Sequence, residues 1–293
     1  MKTSTNDRIF DIVNYFFLII LTLLVLYPLY YVVSASISDP LRVLQGDTRL
    51  LPKDINFDAY KKVFMNGDII NGFWNTLKYT VIGTFVNIVM TTLAAYPLSR
   101  KDFVGRNVIM AIFVFTMFFS GGLIPSYLLI KELGMLNTFW VMIIPGAVAV
   151  WNIIIMRTFF QTTIPQELEE SAMIDGCNNI QILLKIVLPL SKPVMAVMVL
   201  FYAVGHWNSY FNALIYLQDR DLFPLQLILR EILVQSQADD MIKGTTETFI
   251  KQQLSIEGVK YAVLVVSNIP MMILYPFLQK YFVKGFMVGA IKG

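Results

Sequence analysis

Long apolar stretches alternate with polar connections along this chain of 293 residues. A helix needs roughly 20 apolar residues to cross a hydrocarbon core. Six windows qualify, at residues 12–35, 75–98, 107–130, 139–160, 193–216 and 259–281. A helix satisfies its backbone hydrogen bonds internally, so it can stand in lipid. The pattern predicts an all-α, polytopic membrane protein, one transmembrane domain over residues 1–293 with six transmembrane helices. The connections differ in character. Residues 36–74 are long and polar, with Asp39, Asp47, Asp54, Asp58 and Asp68; residues 99–106 are short and hold Arg100, Lys101 and Arg106. Residues 131–138 are short and nearly neutral, residues 161–192 are amphipathic, and residues 217–258 are long and mixed in charge.

Composition agrees with this pattern. Hydrophobic residues make up 56% and charged residues 15%, against about 25% charge in soluble domains. So few charges do not cover a soluble surface of this size, and the mean hydropathy of +0.63 says the same. A net charge of +3 without a basic, aromatic-interleaved patch gives no footprint for nucleic acid. Cys177 is the only cysteine, so no disulfide forms within the chain, and His206 is the only histidine, so no zinc ligand set is expected. The chain has no GxxxxGK[ST] phosphate loop and is not expected to hydrolyse ATP by that route. No nucleophile, base or metal set converges, and a membrane enzyme is the least favoured class.

The N-terminal run follows Lys2 and Arg8, and Ser34-Ala35-Ser36 loosely resembles a cleavage site. The run exceeds the roughly 7–15 residues of a secretory core, so it is read as an uncleaved anchor and first span. Positive residues of short loops stay in the cytoplasm. Arg100, Lys101 and Arg106 therefore place 99–106 inside, and 131–138, with only Lys131, outside. Both termini and residues 161–192 are then cytoplasmic, and 36–74 and 217–258 are outside. Asp11 and Lys78 lie at span ends, and His206 is read as the one ionisable residue well inside a span. Ion-coupled transporters usually place charges there. His206 is read as bonded within the bundle in preference to a proton relay, which needs a partner.

The 161–192 connection carries the sharpest pattern. Thr163 is placed to cap a helix, Pro165 suits its first turn, Glu167, Glu169 and Glu170 favour its N-terminal half, and Gly176 ends it. A second helix is predicted from Asn179 to Leu188, stopped by Pro189. Ser171 and Ala172 are small enough for close approach by another protein, and Glu170 and Asp175 offer carboxylates to cations. On physics alone this is an amphipathic interfacial helix-turn-helix. Its spacing says more. Glu170-Ser171-Ala172, three residues, Gly176, nine residues, Ile186, one residue and Leu188-Pro189 resembles the EAA loop of ABC importer permeases, EAA-x3-G-x9-I-x-LP, with Ser171 the one departure. Asn75-Thr76-Leu77 resembles the same permeases. Phe119 to Pro125, Lys284-Gly285-Phe286 and Gly289 to Gly293 resemble their carbohydrate branch, similar to the second permease of the maltose system and to the alginate-type importers.

That resemblance implies the type I ABC importer permease fold in the bacterial cytoplasmic membrane. It implies that residues 161–192 dock on an ATPase as a lever. Glu170 would meet a basic residue of the ATPase and Gly176 would set the turn. The run through Ile186, Leu188 and Pro189 would tie the lever to the fifth span, and the C-terminal tail with Lys284 and Lys292 would also reach the ATPase pair. The partners implied are a second, different permease subunit, two ATPase subunits that hold ATP and Mg, an extracytoplasmic solute-binding protein that the 217–258 loop would enter, and a saccharide, with no cofactor bound by this chain. The saccharide itself stays open, with uronate-containing oligosaccharides among the candidates. Gly121-Gly122 and Pro125 either break the third span near its outer end or let helices pack closely. Asn208 and Asn212, four apart on one predicted helical face, with Trp207, Tyr210, Asn152 and Asn268, either meet sugar hydroxyls along a path or bond helices together. Rival readings are a secondary transporter or channel and an ABC permease for a non-sugar solute.

Overall fold

The computed structural model describes residues 5–241 and 247–290. Among the described residues no strand forms. The helices are α1 (Thr5–Ser36), α2 (Pro40–Leu44), α3 (Asp58–Met65), α4 (Gly67–Ser99), α5 (Arg106–Phe118), α6 (Leu123–Glu132), α7 (Val150–Thr163) and α8 (Gln166–Ile174). They continue with α9 (Asn179–Leu190), α10 (Lys192–Trp207), α11 (Phe211–Tyr216), α12 (Leu225–Met241) and α13 (Glu247–Ala290).

Among the described residues three stretches are long and apolar enough to cross a membrane unaided: Asp7–Ser36, Gly67–Ser99 and Ile256–Pro276. Three further candidates are bent pairs: α5 with α6 at 112°, Phe139–Gly146 with α7 at 52°, and α9 with α10 at 83°. Each bend has a local cause. Gly122 sits at φ +86°, a left-handed conformation open to glycine, and the chain breaks there, one of the two readings open for Gly121-Gly122. Phe139–Met142 and Ile144–Gly146 form 3-10 turns around Pro145, which has no amide hydrogen, and regular helix starts only at Val150. The fifth window departs from its expected course. Its helix ends at Trp207 and resumes at Phe211.

The described contacts group into two units. One lies within Met1–Ile70 and Leu229–Ile269. In it none of the apolar window of α1 is buried. The polar segment after α1 is folded: Asp39 caps α2, and Arg42 bridges Asp54 at 2.7 Å and Asp47 at 3.5 Å. The Tyr27 and Tyr30 hydroxyls donate to the carbonyls of Arg49 and Leu50. Gly258 lets α13 approach Pro40, whose Cγ would lie 3.0 Å from an added Cβ.

The other unit lies within Asn71–Ile228 and Pro270–Gly293. Its main core joins α4 (Ala95, Leu98), α7 (Ile153, Met156), α8 (Ala172), α9 (Ile182, Val187) and α10 (Met198, Tyr202). Arg157 Nε donates to the Leu98 carbonyl at 2.8 Å, and Gln161 Nε2 to that of Ser99 at 3.3 Å. They serve carbonyls left over at the end of α4. Arg157 lies within the fourth window, so His206 is not the sole ionisable group inside the predicted spans.

At its other end α4 grips the segment before α12. Asn75 Nδ2 donates to the carbonyls of Asp221 at 2.6 Å and Phe223 at 3.2 Å, and Tyr79 Oη donates to that of Leu222 at 2.8 Å. Thr76 Oγ1 accepts from the Leu225 amide at 2.8 Å, an N-cap supplied from another helix. Gly72 leaves room for Leu225 and Ile228. The Asn75-Thr76 pair thus has a structural task. Asn75→Ala is expected to take the Asn75 donor from the Phe223 carbonyl and to leave the Asp221 carbonyl to Asn71 Nδ2, which also donates to it at 2.9 Å, at a cost of about 1–2 kcal/mol. Thermal unfolding in detergent micelles measures it, and a melting temperature equal to wild type would count against the anchor.

Candidate functional site

The 161–192 connection is built by its punctuation. A residue before proline is pushed toward extended backbone, and Ile164, at φ −92° and ψ 114°, ends α7. Thr163 is therefore the last residue of α7 and not the cap of the next helix. Pro165, extended at ψ 133°, stands one residue before α8 and not within it, and gives no side-chain cap. Glu167 and Glu169 occupy the first turn, where the helix dipole favours them. At the other end Gly176 takes φ +83°. Its amide donates to the Met173 carbonyl at 3.0 Å, and that of Cys177 to Ala172 at 2.9 Å. These are the two bonds of a Schellman close, which needs a left-handed residue at this position.

A capping box opens α9. Asn178 Oδ1 accepts from the Gln181 amide, and Gln181 Oε1 from the Asn178 amide, each at 2.9 Å. The middle of α9, Leu183–Val187, widens to a π-helix directly ahead of Pro189, which cannot donate to the preceding turn. The helix so passes the proline and ends at Leu190. The chain turns at the buried Ser191, two residues beyond the expected stop.

Glu170, Ser171, Asp175, Gly176 and Pro189 are exposed, while Ile186 and Leu188 pack against the core. Ala172 corrects an expectation. It is 6% exposed and packed inward, so it offers no surface to another protein. Glu170 accepts from Gln166 Nε2 at 2.6 Å. One turn on, on the same face, stands Ile174, 87% exposed. The i, i+4 spacing from Glu170 was the available signal for it.

Beneath this surface lies a hub. Arg100 is 8% exposed. Its Nε and Nη2 donate to the two Asp102 carboxylate oxygens at 2.9 and 3.0 Å. Its Nη1 donates to Tyr96 Oη at 3.1 Å and to Glu169 Oε2 at 3.2 Å, and its backbone carbonyl accepts from Arg106 at 2.8 Å. Hydrogen bonds from Arg100 hold the Asp102 carboxyl below its ordinary range. Burial pushes the Glu169 carboxyl up, against the pull of Arg100. The Arg100 guanidinium, raised chiefly by its bonds to Asp102, is firmly charged. A cleft of about 520 Å³ lies beside the hub, lined by Asp102, Gln161, Gln166, Glu169 and Glu170 among others.

The candidate path residues belong to several elements. Asn152 and Trp207 are buried, and the Trp207 ring stands edge-on to Phe73 at 5.8 Å. The break after Trp207 puts Asn208 in the bend and Asn212 on α11, so the two do not share a helical face. Asn208 is exposed, donates to the Val204 carbonyl at 2.9 Å and accepts from Gln226 at 3.4 Å; Tyr210 is exposed in the same bend. Asn212 is half-buried. Asn268, in the other unit, is exposed with its amide on the Leu264 carbonyl at 2.7 Å. His206 does have a partner. Asn87 Nδ2 donates to the Gly146 carbonyl at 2.6 Å, so its Oδ1 faces His206 and accepts from Nε2 at 2.6 Å. Of the expected tail and outer-loop contacts, the side chains of Asp239, Asp240 and Lys284, and Lys292 altogether, lie outside the described residues.

The chain compares with known proteins over its whole length. A family model described as "binding-protein-dependent transport system inner membrane component" matches residues 2–288. A polygalacturonan/rhamnogalacturonan transport system permease protein of Bacillus subtilis, YtcP, is 42% identical over 288 residues, 98% of this chain and 100% of the relative. Protein LplC of the same organism is 40% identical over 293 residues, 100% of this chain and 98% of the relative. Among solved structures, a chain from a bacterial ABC transporter involved in the import of the acidic polysaccharide alginate is similar at a TM-score of 0.86 and 38% identity, covering 96% of this chain and 99% of that one.

Proposed function

The chain belongs to the family of binding-protein-dependent transport system inner membrane components, and from that premise we propose that it is one of two transmembrane subunits of an ATP-driven importer for acidic oligosaccharides. The observation that carries the coupling part is α8 with its glycine close. Glu170, Ser171, Ile174 and Asp175 form an exposed face held at one end by Pro165 and at the other by the left-handed Gly176. A short helix fixed at both ends moves as a unit, which transmitting a motion from an ATPase requires. Ile186 and Leu188, packed in the core, tie that unit to α10.

In this reading the six candidate spans form one permease domain with both termini and residues 161–192 in the cytoplasm. Residues 36–74 and 217–258 face outward toward a solute-binding protein. A different permease subunit completes the path, and two ATPase subunits hold ATP and Mg. The chain itself does no covalent chemistry and works by alternating access. The apolar side chains exposed along α1, such as Phe10, Phe16 and Leu24, suit a lipid or partner-subunit surface. The acidic class of saccharide rests on a relative that carries polygalacturonan in its description and a similar structure that carries alginate.

The test is reconstitution of the permease pair, the ATPase pair and the binding protein in liposomes. ATP-dependent uptake of labelled oligogalacturonide is expected to exceed that of a neutral oligosaccharide of equal length by at least about tenfold. That corresponds to about 1.4 kcal/mol of discrimination. Equal uptake of both would remove the acidic assignment, and uptake that needs no ATP would remove the importer itself.

A further inference from the structure

The Arg100 hub ties three pieces of chain into one body. Its guanidinium sits where the end of α4 and the start of the 99–106 connection meet the underside of α8. Arginine presents five donors in a rigid plane, which suits several acceptors at fixed angles. Two of those donors clamp Asp102 in a side-by-side pair, which fixes the plane of the guanidinium. One remaining nitrogen then points at both Tyr96 Oη and Glu169 Oε2. The guanidinium also lies over the Tyr96 ring, 5.8 Å from its centroid. At 8% exposure for Arg100 and 17% for the Glu169 side chain, this pair is screened far less than a surface pair. Glu169 is thus committed inward while its neighbour Glu170 is turned out.

The core gives α8 little else to hold by. Ala172 is its one buried residue, a single methyl against the core. Leu168 and Met173 are each 40% exposed and Ile174 87%. An apolar contact that small would let a nine-residue helix rock, because attachment by packing scales with buried area. The directional attachments that remain along its length come from Arg100, the ion pair to Glu169 and a longer, weaker bond from Nη2 to Met173 Sδ at 3.9 Å. We propose that Arg100 is a positioning residue whose bond to Glu169 locks the 166–174 helix to the end of the Gly67–Ser99 helix, so that force applied at the exposed face of the first displaces the second. The proposal rests on the reading that α8 receives an ATPase. It adds a second route for the stroke, through Arg100 into α4, beside the covalent one through α9 into α10.

Three variants and two readouts test it. Glu169→Gln keeps the shape and removes the charge. Arg100→Lys keeps a charge but reaches fewer of the acceptors. Arg100→Gln removes both. The first readout is amide hydrogen exchange of residues 166–174 in the purified protein. Glu169→Gln is expected to speed it about tenfold, with residues 80–95 unchanged. The second is ATP hydrolysed per solute imported in the reconstituted complex. It is expected to rise about tenfold in Glu169→Gln and Arg100→Gln and by less in Arg100→Lys, while the ATPase subunits still co-purify. Lysine and glutamine behaving alike at position 100 would reduce the hub to a packing role and overturn the assignment. Unchanged exchange in Glu169→Gln overturns the lock itself. Faster exchange with an unchanged ATP ratio overturns its part in force transfer. A wild-type chain that captures no ATPase pair would instead fail the coupling reading, while the exchange experiment still decides whether the lock exists.

Discussion

Glu170→Lys is expected to abolish ATP-driven uptake while the protein still inserts and folds. The side chain is exposed, and its described partner is Gln166 on its own helix, so the chain loses one surface hydrogen bond. Surface changes of that kind usually lie within about 0.5 kcal/mol of neutral. The effect at a docking site is larger. A carboxylate desolvated against a cationic partner group is worth about 2–5 kcal/mol when truncated. Reversal to lysine adds repulsion to that loss, and every 1.4 kcal/mol is about tenfold in affinity. Retention of the ATPase pair should fall by about two orders of magnitude or more, with Glu170→Gln in between. Quantitative co-purification from membranes measures it, against the membrane level of the permease itself. Normal retention with Glu170→Lys would mean that the partner's charge lies elsewhere on α8, with Asp175 the remaining exposed carboxylate near its end. The same experiment separates Glu170 from Glu169. The first is expected to govern whether the ATPase stays bound, the second whether its work is transmitted.

Much of this surface was legible in the sequence, because helix punctuation is local. Gly176 announced a left-handed close, and the spacing from Glu170 to Pro189 announced what the connection resembles. The direction of each side chain was legible too, had the period been followed. Glu169, Ala172 and Met173 are three and four apart and share a face, and Glu169 and Ala172 are the residues of α8 that turn inward. Residues two apart stand about 200° apart on a helix, so Glu170 and Ala172 could not both serve one partner. The ion pair from Arg100 to Glu169 was not legible, because it joins residues 69 apart in sequence through tertiary packing. The broken spans divide in the same way. Hydropathy reports composition and not backbone direction, so windows three to five read as unbroken. Gly122 could be suspected from its type. Proline at 189 pointed to the wrong residue, because a π segment carried the helix past it to Ser191. The shared face drawn for Asn208 and Asn212 failed for a related reason. A face drawn by counting four residues assumes a helix, and none runs through 208–210.

Gly83→Ala is expected to be among the most destabilising single substitutions in the chain, although it adds one methyl group. Gly83 is buried in α4, and a Cβ built there overlaps the His206 imidazole at Nε2, Cε1 and Cδ2. Glycine in the middle of a helix is itself unfavourable by roughly 0.5–1 kcal/mol relative to alanine, so an open site would be stabilised by this change. Here the ring cannot give way cheaply. Its Nε2 is bonded to Asn87, and Asn87 is bonded in turn to the Gly146 carbonyl. Displacing the ring costs about 1–3 kcal/mol of overpacking, and the Asn87 oxygen left without a donor costs about 1–3 kcal/mol more. The gain in helix propensity offsets only part of that. The double variant discriminates this account from general intolerance at position 83. His206→Ala alone leaves Asn87 unpaired and opens a cavity, and both losses destabilise. In Gly83→Ala with His206→Ala the methyl enters space the ring has vacated. The pair should then be less destabilised than the sum of the singles by at least about 1 kcal/mol, within the range seen for residues in contact. Thermal unfolding of the four proteins in one detergent closes the cycle. Additive losses would show that the histidine does not occupy the space that glycine provides, and that α4 and α10 are held together by other means.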